Sequence, residues 1–348
     1  MARKLSNTVS DLYAGMRLDS YLFEAGLYPT RSKAVKQIEA GKVFLNGKEP
    51  TKKDIVNEGD LIIYEELVEE THVYLEPEDI PLEVYYEDDD LLVINKQPGL
   101  ICHPSPGHPG GTLSNALIHH YGRENLAHIQ GDYRPGIVHR LDGDTSGLML
   151  CAKNDEVGYI LQDEIRRRNV DRKYLCLVHG NIASDTGLID APIFRSDKNR
   201  TRMQVSDKPQ ARSSVTTFNV LERFESGLKD NGFTLVECKL YSGRTHQIRV
   251  HMEYIHHWVV GDQTYGNPGK SSNLGLCRQF LHSYFIEFQH PCINDTLSFM
   301  APLPDDLIQA ISQLADRRIG LTERGHEVLA AYQENCGITE ERESFALV

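Results

Sequence analysis

Eight consecutive positions, His139 to Ser146, hold a histidine, an arginine, two aspartates, a threonine and a serine. These are catalytic residue types, and Ser146 or His139 working with Asp142 would suit hydrolysis. The fit is poor, because Asp144-Thr145-Ser146-Gly147 lacks the G-x-S-x-G elbow that exposes a nucleophilic serine, and no base with an orienting partner is evident. An ordinary turn, whose Asp and Thr bond their own backbone, has the same composition. On chemistry alone that reading and a catalytic one stand level.

The residues that follow say how such a loop would be held. Gly147 leads into the apolar run Leu148 to Ala152, so a polar, glycine-punctuated loop feeds a buried strand. Further strand patterns fall at 91–95, 173–179, 214–222, 233–241 and 280–288, and helical patterns at 113–121, 155–168 and 245–256. Short strands alternating with helices predict an α+β fold, with no fixed-period repeat.

Other polar strings are spread along the same stretch. They are Asn95-Lys96 with Gly99-Leu100 and His103-Pro104, Arg172 to Val178, Gly243 to His251, Gly261-Asp262 with Tyr265-Gly266, and Leu281-His282 with His290-Pro291. Together with His139-Arg140-Leu141-Asp142 these closely resemble, in order, the motifs of the RluA-type pseudouridine synthases over residues 83 to 308. The resemblance implies a mixed, largely antiparallel sheet with flanking helices. It implies an isomerase that breaks the uridine glycosidic bond, turns the base and rejoins it through carbon. It assigns the nucleophilic carboxylate to Asp142, the active-site tyrosine to Tyr174, the basic partner to Arg249, and to Arg140 a part in holding the flipped base out, with His139 beside it.

Physical chemistry asks for such a set. Burial raises a carboxyl pKa, so an attacking carboxylate needs a cation nearby, and the Arg249 guanidinium could hold Asp142 bidentately. Tyr174 could stack on uracil and lend its hydroxyl to proton transfer. A target base must leave its stack to be reached. Lys96, Arg244 and His246 are candidate RNA contacts, with packing as the alternative for each. No cofactor, metal or nucleotide is expected, since an isomerisation needs none, and His251 to His257 lacks zincin spacing. The pattern departs from the family at Gln97, Gly143 and Ser283, none of them a predicted catalytic position.

A formal charge of −13 looks wrong for a nucleic-acid binder until it is located. Residues 65 to 90 carry twelve Asp or Glu and no Lys or Arg, whereas residues 31 to 53 hold seven Lys or Arg against Glu39 and Glu49. The basic stretch suits phosphate contact; the acidic one reads as a connector that repels nucleic acid. Leu18, Tyr21 and Leu22 have helical spacing, Thr30 or Ser32 can cap a second helix ended by Gly41, and Asn46-Gly47 is a turn signal. This unit resembles the alpha-L RNA-binding domain first known from the fourth protein of the small ribosomal subunit, with Arg31, Lys33 and Lys36 on its basic edge.

The expected organisation is an N-terminal arm (1–16), an α/β RNA-binding domain (17–66), an acidic linker (67–82), the catalytic domain (83–308) and a helical acidic tail (309–348). No run of about 18 apolar residues suggests a membrane span, the N-terminus lacks the apolar region of a signal peptide, and seven cysteines without C-x-x-C spacing fit a reducing cytoplasm. The domain pair implies a partner in structured RNA, most of all large-subunit ribosomal RNA, with transfer RNA or a non-catalytic ribosome-assembly role as alternatives. The chain is expected to act as a monomer.

Overall fold

The structure, a computed structural model, describes residues 4–66, 75–105, 107–199, 201–266, 272–337 and 343–347. It divides into two compact units, Met1–Tyr74 and Leu75–Val348. Among the described residues no helix is long and apolar enough to cross a membrane.

The smaller unit runs β1 (Lys4–Thr8), α1 (Leu18–Glu24), α2 (Arg31–Glu39), β2 (Val43–Leu45) and β3 (Leu61–Glu65), with sheet order β1-β3-β2. Leu18, Tyr21 and Leu22 are buried, as their spacing requires. Thr30, not Ser32, caps α2 by accepting from the Lys33 N–H at 3.2 Å. Asn46 and Gly47 both take positive φ, the conformation of a two-residue primed turn. The arm expected at 1–16 contributes β1, which pairs with β3 through its backbone; Lys4-Leu5-Ser6-Asn7-Thr8 carries too little apolar alternation to announce a strand.

The larger unit begins β4 (Glu83–Glu87), β5 (Leu91–Lys96), α3 (Leu113–Tyr121), β6 (Ser146–Ala152), α4 (Asp155–Arg167), β7 (Asp171–His179) and β8 (Thr186–Asp190). It continues β9 (Ile193–Arg195), β10 (Met203–Val205), β11 (Val215–Phe224), β12 (Phe233–Leu240) and α5 (Gln247–Tyr254). It ends β13 (Leu281–Gln289), β14 (Thr296–Met300), α6 (Asp305–Ser312), β15 (Arg318–Leu321) and α7 (Glu323–Asn335). The main sheet orders β15-β11-β12-β7-β13-β6-β5-β4, with β14 on β13 and β8 on β11. β13 and β6 pair parallel; the other pairings along that order are antiparallel.

Both faces of this sheet are covered. Tyr174, Cys176 and Val178 of β7 and Met149 and Cys151 of β6 join one core with α3 and α5. Leu175 and Leu177 face the other way, toward α6 and α7. Leu148, Leu150 and Ala152 do the same beside α4. Alternate residues reach opposite cores, so a doubly covered strand reads as an unbroken apolar run, and Leu148 to Ala152 is one.

Two expectations are corrected. Of the acidic linker, 67–74 lies outside the described residues, but 75–82 packs on the larger unit. Leu75 is buried in its core, the Glu78 carboxylate accepts from Gly111 N at 2.8 Å, and Asn115 donates to the Glu76 carbonyl at 2.8 Å. Prolines and acids mimic a linker here because the segment is bound through its backbone and one carboxylate. The C-terminal stretch 309–348 is likewise no tail, since Ile311, Leu314, Leu329, Tyr332 and Phe345 are buried in the core that α6 and α7 cover. At about 1.5–3 kcal/mol per large apolar side chain, that burial is a structural contribution.

Candidate active site

Loop 139–146 enters β6 under restraint from several directions. Cys102 Sγ donates to the Leu141 carbonyl (3.3 Å), Lys96 Nζ to Gly143 O (2.8 Å), Arg278 Nη1 to Asp144 O (3.1 Å) and Gln279 Nε2 to Thr145 Oγ1 (3.0 Å). Thr145 N closes a turn onto Asp142 O at 3.1 Å. Gly147 follows at φ +116°, where a Cβ would fall on the Ser283 backbone, so β6 can lie against β13 only with glycine there.

Asp142 faces Arg249 of α5, whose Nη1 donates to Asp142 Oδ2 at 3.0 Å. The guanidinium fork, however, closes on Asp262: Nε to Oδ2 at 2.6 Å and Nη2 to Oδ1 at 2.8 Å. The bidentate clamp expected on Asp142 is therefore a single bond. Asp262 wins the fork because its side chain is wholly buried and aimed by its own backbone, with Thr264 N (2.8 Å) and Tyr265 N (2.9 Å) both donating to Oδ1. Burial would raise the Asp262 carboxyl, but the Arg249 hydrogen bonds and charge, with those backbone donors, hold it below its ordinary value. Burial alone would lower Arg249; its bonds to the two carboxylates hold it above its ordinary range.

His246 stands before α5 in the left-handed conformation, φ +57°. Its Nδ1 lies 2.8 Å from the Tyr265 hydroxyl, which already accepts Met203 N at 2.8 Å. The Tyr265 proton then has Nδ1 as acceptor, leaving the ring proton on Nε2, 3.9 Å from Asp142 Oδ2. Burial keeps His246 below its usual pKa, against the pull of Asp142. Tyr174 is buried on the wall of the same cleft with Leu141, Ile248 and Leu281, and burial pushes its hydroxyl up, so it keeps its proton at neutral pH. Gln247 pins the preceding loop, accepting from Arg244 N (3.1 Å) and Ser242 Oγ (2.7 Å).

The predicted residues separate. Asp142, Tyr174, Arg249, Arg140, Arg244 and His246 line one cleft, with Arg140 exposed at its mouth. Lys96, expected at the RNA, is fully buried, and its ammonium donates to the carbonyls of Gln97, Leu100 and Gly143 at 2.9, 2.9 and 2.8 Å. Burial pulls its pKa down to about 8. His139 is also buried, with Nε2 accepting from Leu150 N at 2.9 Å, and burial holds it at about 3. Arg31 joins Arg17 in pairing the buried Asp19 at 2.8 and 3.0 Å, while Lys33 and Lys36 stand exposed on α2. Ser146 Oγ is buried 2.9 Å from His282 Nδ1, out of reach of a hydrolytic substrate. His251 spends both ring nitrogens on Thr216 Oγ1 and Ala191 O. Asp262 and Tyr265 stood in the sequence as short strings without roles; their link to Arg249 and His246 is a tertiary one.

The cleft is anionic at its centre and held in shape: one cation shared by two carboxylates, an aromatic wall and a neutral imidazole. Such a site can present an ionised carboxylate to a flat ring. The RNA pseudouridylate synthase family model matches residues 90–254, and the S4 domain model matches residues 16–62. A Bacillus subtilis (strain 168) protein named uncharacterized RNA pseudouridine synthase YlyB is 41% identical over 308 residues, covering 88% of this chain and 97% of its own. The ribosomal large subunit pseudouridine synthase D of Xanthomonas campestris pv. campestris is 39% identical, covering 88% of this chain and 92% of its own. Among solved structures, human RNA pseudouridylate synthase domain containing 1 superposes with a TM-score of 0.55 at 23% identity, covering 74% of this chain and 96% of that one, a likeness of fold.

Proposed function

Since the chain belongs to the RNA pseudouridine synthase family, and so is an isomerase turning uridine into pseudouridine, we propose that Asp142 is its nucleophile and large-subunit ribosomal RNA its substrate. The observation that carries the first part is the Asp142–Arg249–Asp262 array. A single Arg249 bond holds one Asp142 oxygen while the other has no partner among the described residues, and Asp262 engages Nε and Nη2 of the guanidinium. The ribosomal part is supported by the names of relatives that align with this chain over 92% of their own length, and by the S4 domain match at residues 16–62.

In this reading the flipped uracil lies against Tyr174, whose protonated hydroxyl hydrogen-bonds without surrendering charge. The glycosidic C–N bond breaks, the base turns, a C–C bond forms at carbon 5, and the proton that leaves carbon 5 is replaced by one on N1. Asp142 enters as a carboxylate whether it attacks base or sugar, or draws a proton toward a glycal. Arg140 holds the vacated stack open, and the exposed Lys33 and Lys36 meet phosphate. Four buried free cysteines, Cys102, Cys151, Cys176 and Cys238, suit a reducing cytoplasm, and a monomer suffices for the chemistry.

The test is pseudouridine mapping of ribosomal RNA from cells lacking the protein, complemented with wild type or Asp142→Asn. Modification restored by wild type alone is expected. Restoration by Asp142→Asn would remove Asp142 from the role, and unchanged ribosomal RNA in the deletion would remove the substrate.

A further inference from the structure

Arg140 and Arg244 line the catalytic cleft and also a second, larger groove of about 810 Å³ beside it. Its walls come from the C-terminal end of α4, the start of β7 and Tyr241 just after β12. In a chain of charge −13 this groove is lined by five arginines, Arg140, Arg166, Arg168, Arg172 and Arg244, against one carboxylate, Asp163, which Arg166 pairs.

Two buried nitrogens in the groove's lining lack partners among the described residues. Arg172 is 5% exposed and, among the described residues, its Nε meets no acceptor. His139, 8% exposed, accepts at Nε2 from Leu150 N, so its Nδ1 carries the proton, and that donor also has no acceptor among the described residues. Buried donors and buried charge are ordinarily satisfied, so the pair asks for an anion. Beside them Arg168 holds the left-handed position that ends α4, φ +71°, where glycine is the usual residue. Its guanidinium lies 5.7 Å from the centre of the Tyr241 ring. Tyr159, 61% exposed, presents a second aromatic ring to the groove.

Guanidinium groups alternating with aromatic faces are what single-stranded RNA needs, phosphates on the cations and bases on the rings. We infer that this groove carries the single-stranded flank of the target uridine, with one phosphate over Arg172 and Arg168 and a base against Tyr241. The inference rests on the RNA reading above. A strand whose uridine enters the catalytic cleft passes Arg140 and Arg244, and those two side chains belong to both hollows.

The test uses the full chain with Arg172→Met and Arg168→Gly. Each should leave the fold intact or firmer, because one removes an unpaired buried charge and the other relieves a left-handed backbone. Each should raise KM for unmodified large-subunit ribosomal RNA about tenfold with kcat within about twofold, as lost uniform binding does. On an oligouridine probe each should flatten the slope of log Kd against log salt by about 0.7. Unchanged KM and slope in both variants, with wild type active, would overturn the groove. So would competition by polyglutamate as effective as that by oligouridine. Unfolding of Arg172→Met would count against an unpartnered guanidinium, leaving Arg168→Gly to decide. If wild type makes no pseudouridine in ribosomal RNA, the substrate reading fails, and the salt slopes still judge the groove.

Discussion

Replacing Asp262 with asparagine tests the logic of the site most directly. The change is nearly isosteric. The retained oxygen can still accept from Thr264 N, Tyr265 N and Arg249 Nη2, as Oδ1 does now. The new amide would then set its N–H₂ against Arg249 Nε, which now donates to Oδ2 at 2.6 Å. A charge-assisted bond becomes a clash of donors, and a buried arginine is left with its Nη2 bond to the retained oxygen and its Nη1 bond to Asp142. Breaking a buried ion pair from one side costs about 3–5 kcal/mol. At about 2 °C per kcal/mol for a domain of this size, calorimetry should find Tm lowered by roughly 6–10 °C. The loss should depend on pH in one direction. Asp262 is held below its ordinary value of 3.8, so its contribution is complete above that pH and vanishes as pH falls through the lower, folded value. The gap between wild type and Asp262→Asn should therefore be constant from neutral pH to about 4 and close only below it. Activity should fall about 10²-fold, since Asp142 is no longer aimed. A variant within about 0.5 kcal/mol of wild type, the range of an uneventful surface change, would refute the reasoning.

Buried neutral histidines should make the fold sensitive to mild acid. His139, at about 3, and His282, at about 4, take no proton when folded but do so near 6.5 when unfolded, so each costs about 2 kcal/mol between pH 6.5 and 5; His139→Gln, which can still accept from Leu150 N, should flatten part of that slope in urea titrations. Lys96 has the opposite window: protonated, it burdens the fold, and the burden fades as pH rises from about 8 toward 10.5. Wild type should therefore gain roughly 2 kcal/mol relative to Lys96→Met between pH 8 and 9.5, and equal gains in the two would show that the lysine is not held as described. Gly147→Ala should cost roughly 3 kcal/mol or more, since its methyl meets the Ser283 backbone at a left-handed φ; normal expression and Tm would contradict the close approach of β6 and β13.

Much of this protein is written locally. Strand and helix positions could be read because apolar runs and spacings report burial on one or two faces, as Leu148–Ala152 and Leu18-Tyr21-Leu22 do. Turns could be read because Asn46-Gly47 and Gly41 take backbone shapes that other residues resist. The residue types lining the cleft were legible as short strings. What local sequence could not carry was who partners whom. Arg249 turns its fork to Asp262 and not to Asp142, Lys96 is spent on three carbonyls, His139 is buried against β6, and residues 75–82 bind at the start of α3 where a free connector was expected. Each of these is a competition among several donors and acceptors, at least one of them outside the local string. Its winner depends on which group is better buried and better aimed, and only the tertiary structure sets burial and aim.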